Sequence, residues 1–222
     1  MSDDLIEILL EGLGQTLYMV IATTIIANLV GFVLGIIMVI TDKSGIWPHL
    51  KLNKVLGTII NAIRSVPEII LIVILIPLTR LIVGTSLGTT ATIVPLSIGM
   101  APYLARIYEN SLRTVERGKI EAALSMGANQ FQIISKVIVP EALPSLIRGF
   151  TLGLISIIGA TAVAGATGAG GLGDLAIRFG YQRYRTDVLF STVVIIVLLV
   201  QGVQFLGDFS ARQVNKKRYK FE

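Results

Sequence analysis

The chain has 222 residues, of which 53% are hydrophobic and only 15% charged, with a mean hydropathy of +0.78. A soluble domain of this size carries about a quarter charged residues, so the composition points to lipid as the solvent. With no cysteine and one histidine, His49, there is almost no material for a metal cluster or for histidine-based catalysis, and the net charge of +5 is distributed by membrane topology rather than as a nucleic-acid-binding patch.

Residues 12–41 contain no Asp, Glu, Lys or Arg. A hydrocarbon core of ~30 Å needs roughly 20 helical residues, so this stretch spans. It far exceeds the ~7–15 residue apolar core of a signal peptide and follows acidic residues, so it is expected to be retained. Within it, Ala27, Gly31 and Gly35 offer a close-packing face for another helix, of the same subunit or of a second one. Residues 55–79 are apolar apart from Asn61, Arg64 and Glu68 and read as a span whose first turns sit at the interface. On such a helix Arg64 and Glu68, four apart, would neutralise each other. The uncharged stretches 81–105, 149–173 and 188–207 bring the expected count to five. On the last, Gln201, Gln204 and Asp208 share one face, lining an inner vestibule or marking the exit into water.

Cytoplasmic loops carry an excess of Lys and Arg, and five spans put the two ends on opposite sides. The N-terminal segment has Asp3, Asp4, Glu7 and Glu11 and no basic side chain, whereas the tail has Arg212, Lys216, Lys217, Arg218 and Lys220. With the tail inside, fourteen basic residues are cytoplasmic, in the tail, in the first loop (Lys43, Lys51, Lys54) and in segment 106–148. Only Arg80, Arg178, Arg183 and Arg185 fall outside. The expectation is an all-α membrane protein with five transmembrane helices, N-out and C-in.

Residues 106–148 form the longest cytoplasmic piece. Ile120, Ala123, Leu124 and Gly127, then Phe131, Ile134 and Ile138, recur at roughly helical spacing, which suits an interfacial anchor or a knob for a partner's groove. The series Glu121-Ala122-Ala123, three residues, Gly127, nine residues, Val137-Ile138-Val139-Pro140 is more specific. Ala122 and Ala123 favour helix and add little bulk, Gly127 permits a sharp turn, and Pro140 is expected to end the second helix before the chain re-enters the membrane. The series resembles the cytoplasmic signature of ABC importer permeases, E-A-A, three residues, G, nine residues, I-x-L-P, with Val137 and Val139 in place of Ile and Leu. The resemblance implies that Glu121, Ala122, Ala123, Gly127 and Pro140 belong to the coupling element that docks on a separate ATPase subunit.

The glycine-rich run 165–173 is not a phosphate loop, since no Lys-Ser or Lys-Thr follows a glycine at the required place. It is expected to be a broken helix end, with Gly165, Gly168, Gly170, Gly171 and Gly173 lining or gating a translocation path, the alternative being simple loop flexibility. Beyond it, Arg178, Arg183 and Arg185 stand outside against the charge trend, with Tyr181 and Tyr184 beside them. Such a patch is expected to dock an extracellular partner, the alternative being side chains that snorkel to lipid headgroups. Residues 168–175 and 178–184, with 64–67 and 76–86, resemble the corresponding stretches of methionine-uptake permeases, from which Glu68 departs by replacing an apolar aromatic. The resemblance implies a type I ABC importer permease fold, with 1–222 a single transmembrane permease domain, and methionine as cargo, another small amino acid or polar solute being the alternative. It further implies a homodimer, two copies of an ATPase subunit, an extracellular or lipid-anchored substrate-binding protein, no catalytic site and no cofactor. A secondary transporter, the reading from a different class, would need intramembrane carboxylates or histidines; the uncharged spans offer none, leaving only Glu68.

Overall fold

The computed structural model describes residues 2–218, with side chains over 4–215, and every regular element among them is helical. Asp3, Lys216, Lys217, Arg218 and Lys220, counted above for topology, fall outside the described side chains. The first helix, α1 (Ser2–Ile40), contains no proline and runs 39 residues without a break. Its end is capped from the following connection and the helix after it: Asn53 Nδ2 donates to the Met38 carbonyl at 2.7 Å, and the Trp47 N–H donates to the Ile40 carbonyl at 2.9 Å. Carbonyls that a helix terminus leaves orphaned are satisfied in this way.

After α2 (Leu50–Arg64) the chain turns through 99° into α3 (Glu68–Ile74). The expected single span over 55–79 is therefore corrected to a broken one. A proline disfavours helical geometry at the residue before it, and Pro67 itself sits extended at φ −56, ψ 138. The expected Arg64–Glu68 pair fails for the same reason. Neutralisation at four-residue spacing needs a continuous helix, and neither side chain makes an ion pair or hydrogen bond within the described residues. A further interruption at Leu75 starts α4 (Ile76–Val83), closed by Gly84 at φ +84. The next long helix, α5 (Thr89–Leu112), begins later and ends later than the charge-free stretch 81–105 suggests.

Short α6 (Arg117–Ser125) and α7 (Gln130–Ile133) follow. From α7 the chain continues through a π-helical turn, Ile134–Ile138, into α8 (Val139–Ala164). Pro140 thus does not end a helix, contrary to expectation. The Val139 N–H bonds back to Ile134 across the wider π turn, which moves the preceding carbonyls away from the proline ring that would otherwise strike them. A 3-10 turn at Gly165–Thr167, α9 (Gly171–Leu175), a second π turn at Ala176–Tyr181 and α10 (Thr186–Arg218) complete the chain.

Among the described residues, three helical stretches are long and apolar enough to cross a membrane: Asp4–Ile40, Gln130–Thr167 and Thr186–Asn215, with α2 and α3 together a fourth if the bent pair counts as one. The helix α5 is shielded instead, with residues such as Leu96, Leu104 and Ala105 almost fully buried. It lies between α1, α2, α4 and α8. That position explains its Thr, Ser, Gly and Pro content, because a helix surrounded by helices gains more from close approach than from apolar bulk.

The tightest approach is α1 on α5. A Cβ at Gly31 would stand 2.8 Å from Leu104 Cβ and 2.9 Å from the Ala101 carbonyl, and one at Gly35 would stand 2.9 Å from Tyr108 Cβ and 3.0 Å from the Ala105 carbonyl. Of the two uses left open for the small-residue face, packing within the chain is therefore the one it serves. Tyr108 adds a hydrogen bond to Asn28 and an edge-on ring contact with Phe32, centroids 5.5 Å apart. Buried Thr151 and Thr192 return their hydroxyls to their own helices, to the Ile147 carbonyl at 2.9 Å and the Val188 carbonyl at 3.0 Å, so neither of these two hydroxyls is left unpaired within the apolar bundle.

Gly35→Ala is expected to destabilise the detergent-solubilised protein by about 1–3 kcal/mol, since overpacking against backbone has no flexible side chain to yield. Gly14, where an added Cβ would meet nothing within 4 Å, is the control: Gly14→Ala should not lower the unfolding temperature. Thermal unfolding of the two variants side by side checks both statements.

Candidate functional site

The 106–148 segment builds a turn rather than a loop. Helix α6 ends in a Schellman motif: the Ala128 N–H donates to the Ala123 carbonyl at 3.1 Å, and the Gly127 N–H to Leu124 at 2.9 Å. Gly127 occupies the left-handed position at φ +80, which an L side chain adopts only with strain. Asn129 then starts α7 with a capping box, its Oδ1 accepting from the Gln132 N–H at 2.9 Å while Gln132 Oε1 accepts from the Asn129 N–H at 2.9 Å. Local sequence therefore fixes the elbow between α6 and α7.

The elbow's faces differ from the expected ones. Ala123 is buried against the chain's own core with Ile133 and Ile138, so only Ala122 of the two alanines lies on the exposed side. The apolar side chains offered outward are Leu124, Met126 (81% exposed) and Phe131 (76% exposed). Phe131 was visible in the helical spacing, but Met126 was not, because it sits on the turn rather than on either helix. Glu121 is exposed and paired with Arg117 at 3.0 Å. Lys119 reaches Glu141 at the start of α8, tying α6 to the long helix.

A charge cluster behind the elbow escaped the sequence reading, which counted its arginines only for topology. The Glu109 side chain is 5% exposed and accepts from Arg106 at 2.6 Å and from Arg113 at 2.9 Å. Arg106 also donates to Asn61 Oδ1 at 3.1 Å and to the Gly57 carbonyl at 3.3 Å on α2. Arg113 reaches Asp42 after α1 at 2.6 Å, and this guanidinium holds the Asp42 carboxyl below the usual carboxylate range. One buried carboxylate thereby joins the ends of α1, α2 and α5. The available signal was a Glu flanked by Arg at three and four residues' distance on a helix.

At the other end, the glycines form a joint of closely packed backbone. Gly165 lies against Gly173 and Asp174, and Gly173 against Ala162, with no space for a Cβ. The Gly171 N–H donates to Gln15 Oε1 at 2.7 Å and the Leu172 N–H to Thr16 Oγ1 at 2.9 Å, pinning the joint to α1. The Gly88 N–H donates to the Gly168 carbonyl at 3.1 Å, bringing in the start of α5. Gly165, Gly171 and Gly173 are buried, Gly170 is half-buried and Gly168 is exposed.

Just beyond, Arg178 and Arg183 both lie over the Phe179 ring, at 4.9 and 4.7 Å from its centroid. Arg178 also pairs with Asp174 at 2.7 Å, and Arg185 with Asp187 at 2.7 Å. Tyr181 and Tyr184 are 75% and 87% exposed, and Tyr184 takes a positive φ of 55. The five residues singled out from the sequence therefore share one short surface segment. His49 is an exposed residue just ahead of α2, and Gln204 pairs with Asp208 at 3.2 Å on α10.

Residues 31–219 match the family described as the binding-protein-dependent transport system inner membrane component. Among curated relatives, a probable D-methionine transport system permease protein, MetI, of Vibrio cholerae is 46% identical over 95% of this chain and 94% of its own. A methionine import system permease protein, MetP, of Bacillus subtilis is 44% identical over 82% of each chain. Among solved structures, a chain of the MetNI methionine ABC transporter in inward-facing conformations superposes with a TM-score of 0.94 at 42% identity, covering 96% of this chain and 99% of that one.

Glu109→Gln should lower stability by about 2–3 kcal/mol. That is less than the ~3–5 kcal/mol of a fully buried pair, because Arg113 is 41% exposed and partly solvated. A fall in unfolding temperature in detergent, absent for Glu121→Gln on the exposed Arg117 pair, is the measurement.

Proposed function

The chain belongs to the family of inner membrane components of binding-protein-dependent transport systems, and we propose that it forms the translocation path of an ATP-driven importer for methionine. It is a multi-pass membrane subunit of a bacterial transporter, and ATP hydrolysis resides in a separate subunit. The observation that carries the methionine reading is likeness over nearly the whole chain to permeases named for that cargo, rather than at a single motif.

In this reading the chain crosses the membrane five times, by α1, the broken α2–α4 unit, α5, α7–α8 and α10, with its N-terminus outside and C-terminus inside. The length of α5, 24 residues, supports the fifth crossing, since about 20 suffice. Two copies of the chain pair around the path and two ATPase subunits attach from the cytoplasm. The 106–148 segment is the coupling region of a single permease domain: Glu121, Ala122, Ala123 and Gly127 shape the elbow, and Leu124, Met126 and Phe131 enter the ATPase groove. Exposed apolar residues on a polar cytoplasmic turn are favourable only when a partner covers them. The π turn ahead of Pro140 keeps α7 and α8 one helix, so that a movement of the elbow is passed along α8. The joint at Gly165, Gly168, Gly170, Gly171 and Gly173 lies along the path as its outer gate. Arg178, Tyr181, Arg183, Tyr184 and Arg185 receive an extracellular or lipid-anchored binding protein.

Reconstituted in vesicles with its ATPase and binding protein, the chain should support ATP-dependent accumulation of labelled methionine, with hydrolysis stimulated by the loaded binding protein. No accumulation and no stimulation would overturn the cargo reading. Gly127→Arg should insert normally but fail to retain the ATPase in a pull-down, because the substitution both strains the left-handed turn and places a charge against the groove. Full recovery with normal uptake would exclude the elbow as the docking element. Exchanging Arg183 and Arg185 for Glu should weaken binding-protein association, most strongly at low salt where screening is least; an unchanged affinity at every ionic strength would remove the docking role.

A further inference from the structure

The 99° bend between α2 and α3 opens a cavity of about 500 Å³ against α5 and α8, within the size range of small-molecule sites. Its walls include Arg64 and Glu68 from either side of the bend, Leu71 from α3, Met100 and Tyr103 from α5, and Ser156 from α8. The charges on these walls differ from the others described. Glu109, Asp42, Asp174 and Asp187 each hold an arginine, whereas neither Arg64 nor Glu68 has an ion pair or hydrogen bond within the described residues. Ionisable groups within the spanning part of a membrane protein are costly, and they pair with one another or line a polar cavity. Here the helix break prevents the first and provides the second. The remaining walls offer an apolar surface, Leu71 and Met100, and two hydroxyls, Ser156 Oγ lying 3.1 Å from Tyr103 Oη.

We propose that this cavity binds the cargo as a zwitterion on its way through the membrane, with Arg64 taking the α-carboxylate and Glu68 the α-ammonium. The Leu71–Met100 wall accepts the apolar side chain, and the hydroxyls of Tyr103 and Ser156 complete the polar rim. The inference rests on the reading of the chain as an amino-acid permease. Two fixed opposite charges disfavour a ligand that carries only one, because the other wall charge then loses the partner that a zwitterion would give it. Broken helices lining a cavity are a recurrent way for transporters to present such groups.

The chain contains no cysteine, so Val66→Cys, on the cavity wall but outside the groups assigned to the ligand, places a single reporter in the chain while leaving both charges and both hydroxyls intact. In vesicles carrying the complete transporter, methionine should slow maleimide labelling of that position at least about tenfold. Methioninol, which lacks the carboxylate, and 4-(methylthio)butanoate, which lacks the ammonium, should need concentrations about tenfold higher or more for equal protection. Adding Glu68→Gln should erase the disadvantage of 4-(methylthio)butanoate only, and adding Arg64→Gln that of methioninol only. Labelling indifferent to methionine in vesicles that accumulate it, or equal protection by all three compounds, overturns the site while the cargo reading stands. Vesicles with the unsubstituted chain that fail to accumulate methionine overturn the cargo reading, and this site with it.

Discussion

The close approach of α1 to α5 is the contact on which the other elements depend. In lipid, burying apolar surface between helices brings no gain over leaving it against acyl chains, so association rests on packing and on hydrogen bonds. Gly31 and Gly35 allow the backbones of α1 and α5 to meet, and Tyr108 bridges them through Asn28 and Phe32. Once α5 is fixed, α8 packs on it through Gly149 against Ile107 and Gly153 against Leu104. α10 then packs on α8, where Gly207 meets Thr151. The same α1 holds the glycine joint through Gln15 and Thr16. A shift of α1 would therefore reach both ends of the molecule.

Between those ends runs one continuous helical path, from the capping box at Asn129 through the π turn and α8 to Ala164. A force applied at the elbow has a stiff route to the glycine joint. The elbow itself is rigid because its turn is fully hydrogen-bonded, and Lys119 anchors α6 to Glu141. The π turn is the one departure from regular helix on this route. Such turns commonly mark functional positions, and here it is also what makes Pro140 compatible with a helix that does not stop.

Charge placement separates structural from functional polarity. Glu109 is buried but held by two guanidiniums, and the cluster joins three elements where they emerge from the apolar part of the bundle. Arg64 and Glu68 have no such partners among the described residues and face a shared cavity. An unpaired charge in such a setting is costly unless a ligand or water answers it, which is why the second arrangement points to cargo and the first to assembly.

The sequence by itself determined what is local or compositional: the membrane class from the charge-free stretches, the elbow from Gly127 and its spacing, and the family from the order of residues around it. These were legible because an apolar run, a sharp turn at a glycine and a fixed motif spacing each depend on neighbours a few residues away, whereas the capping box at Asn129 emerged only from the structure. The tertiary structure alone decided which face meets which partner. Gly31 and Gly35 could have served a second subunit, and Ala123 could have faced the ATPase; only the packing of α5 and of α7–α8 turned both inward. The 55–79 stretch read as one span because hydropathy is blind to direction, whereas Pro67 bends the backbone at a point whose angle depends on what it leans against. Pro140 misled for the converse reason: a proline breaks a regular α-helix, but a π turn ahead of it absorbs the clash, and whether such a turn forms is settled by the contacts of the whole helix rather than by the residue.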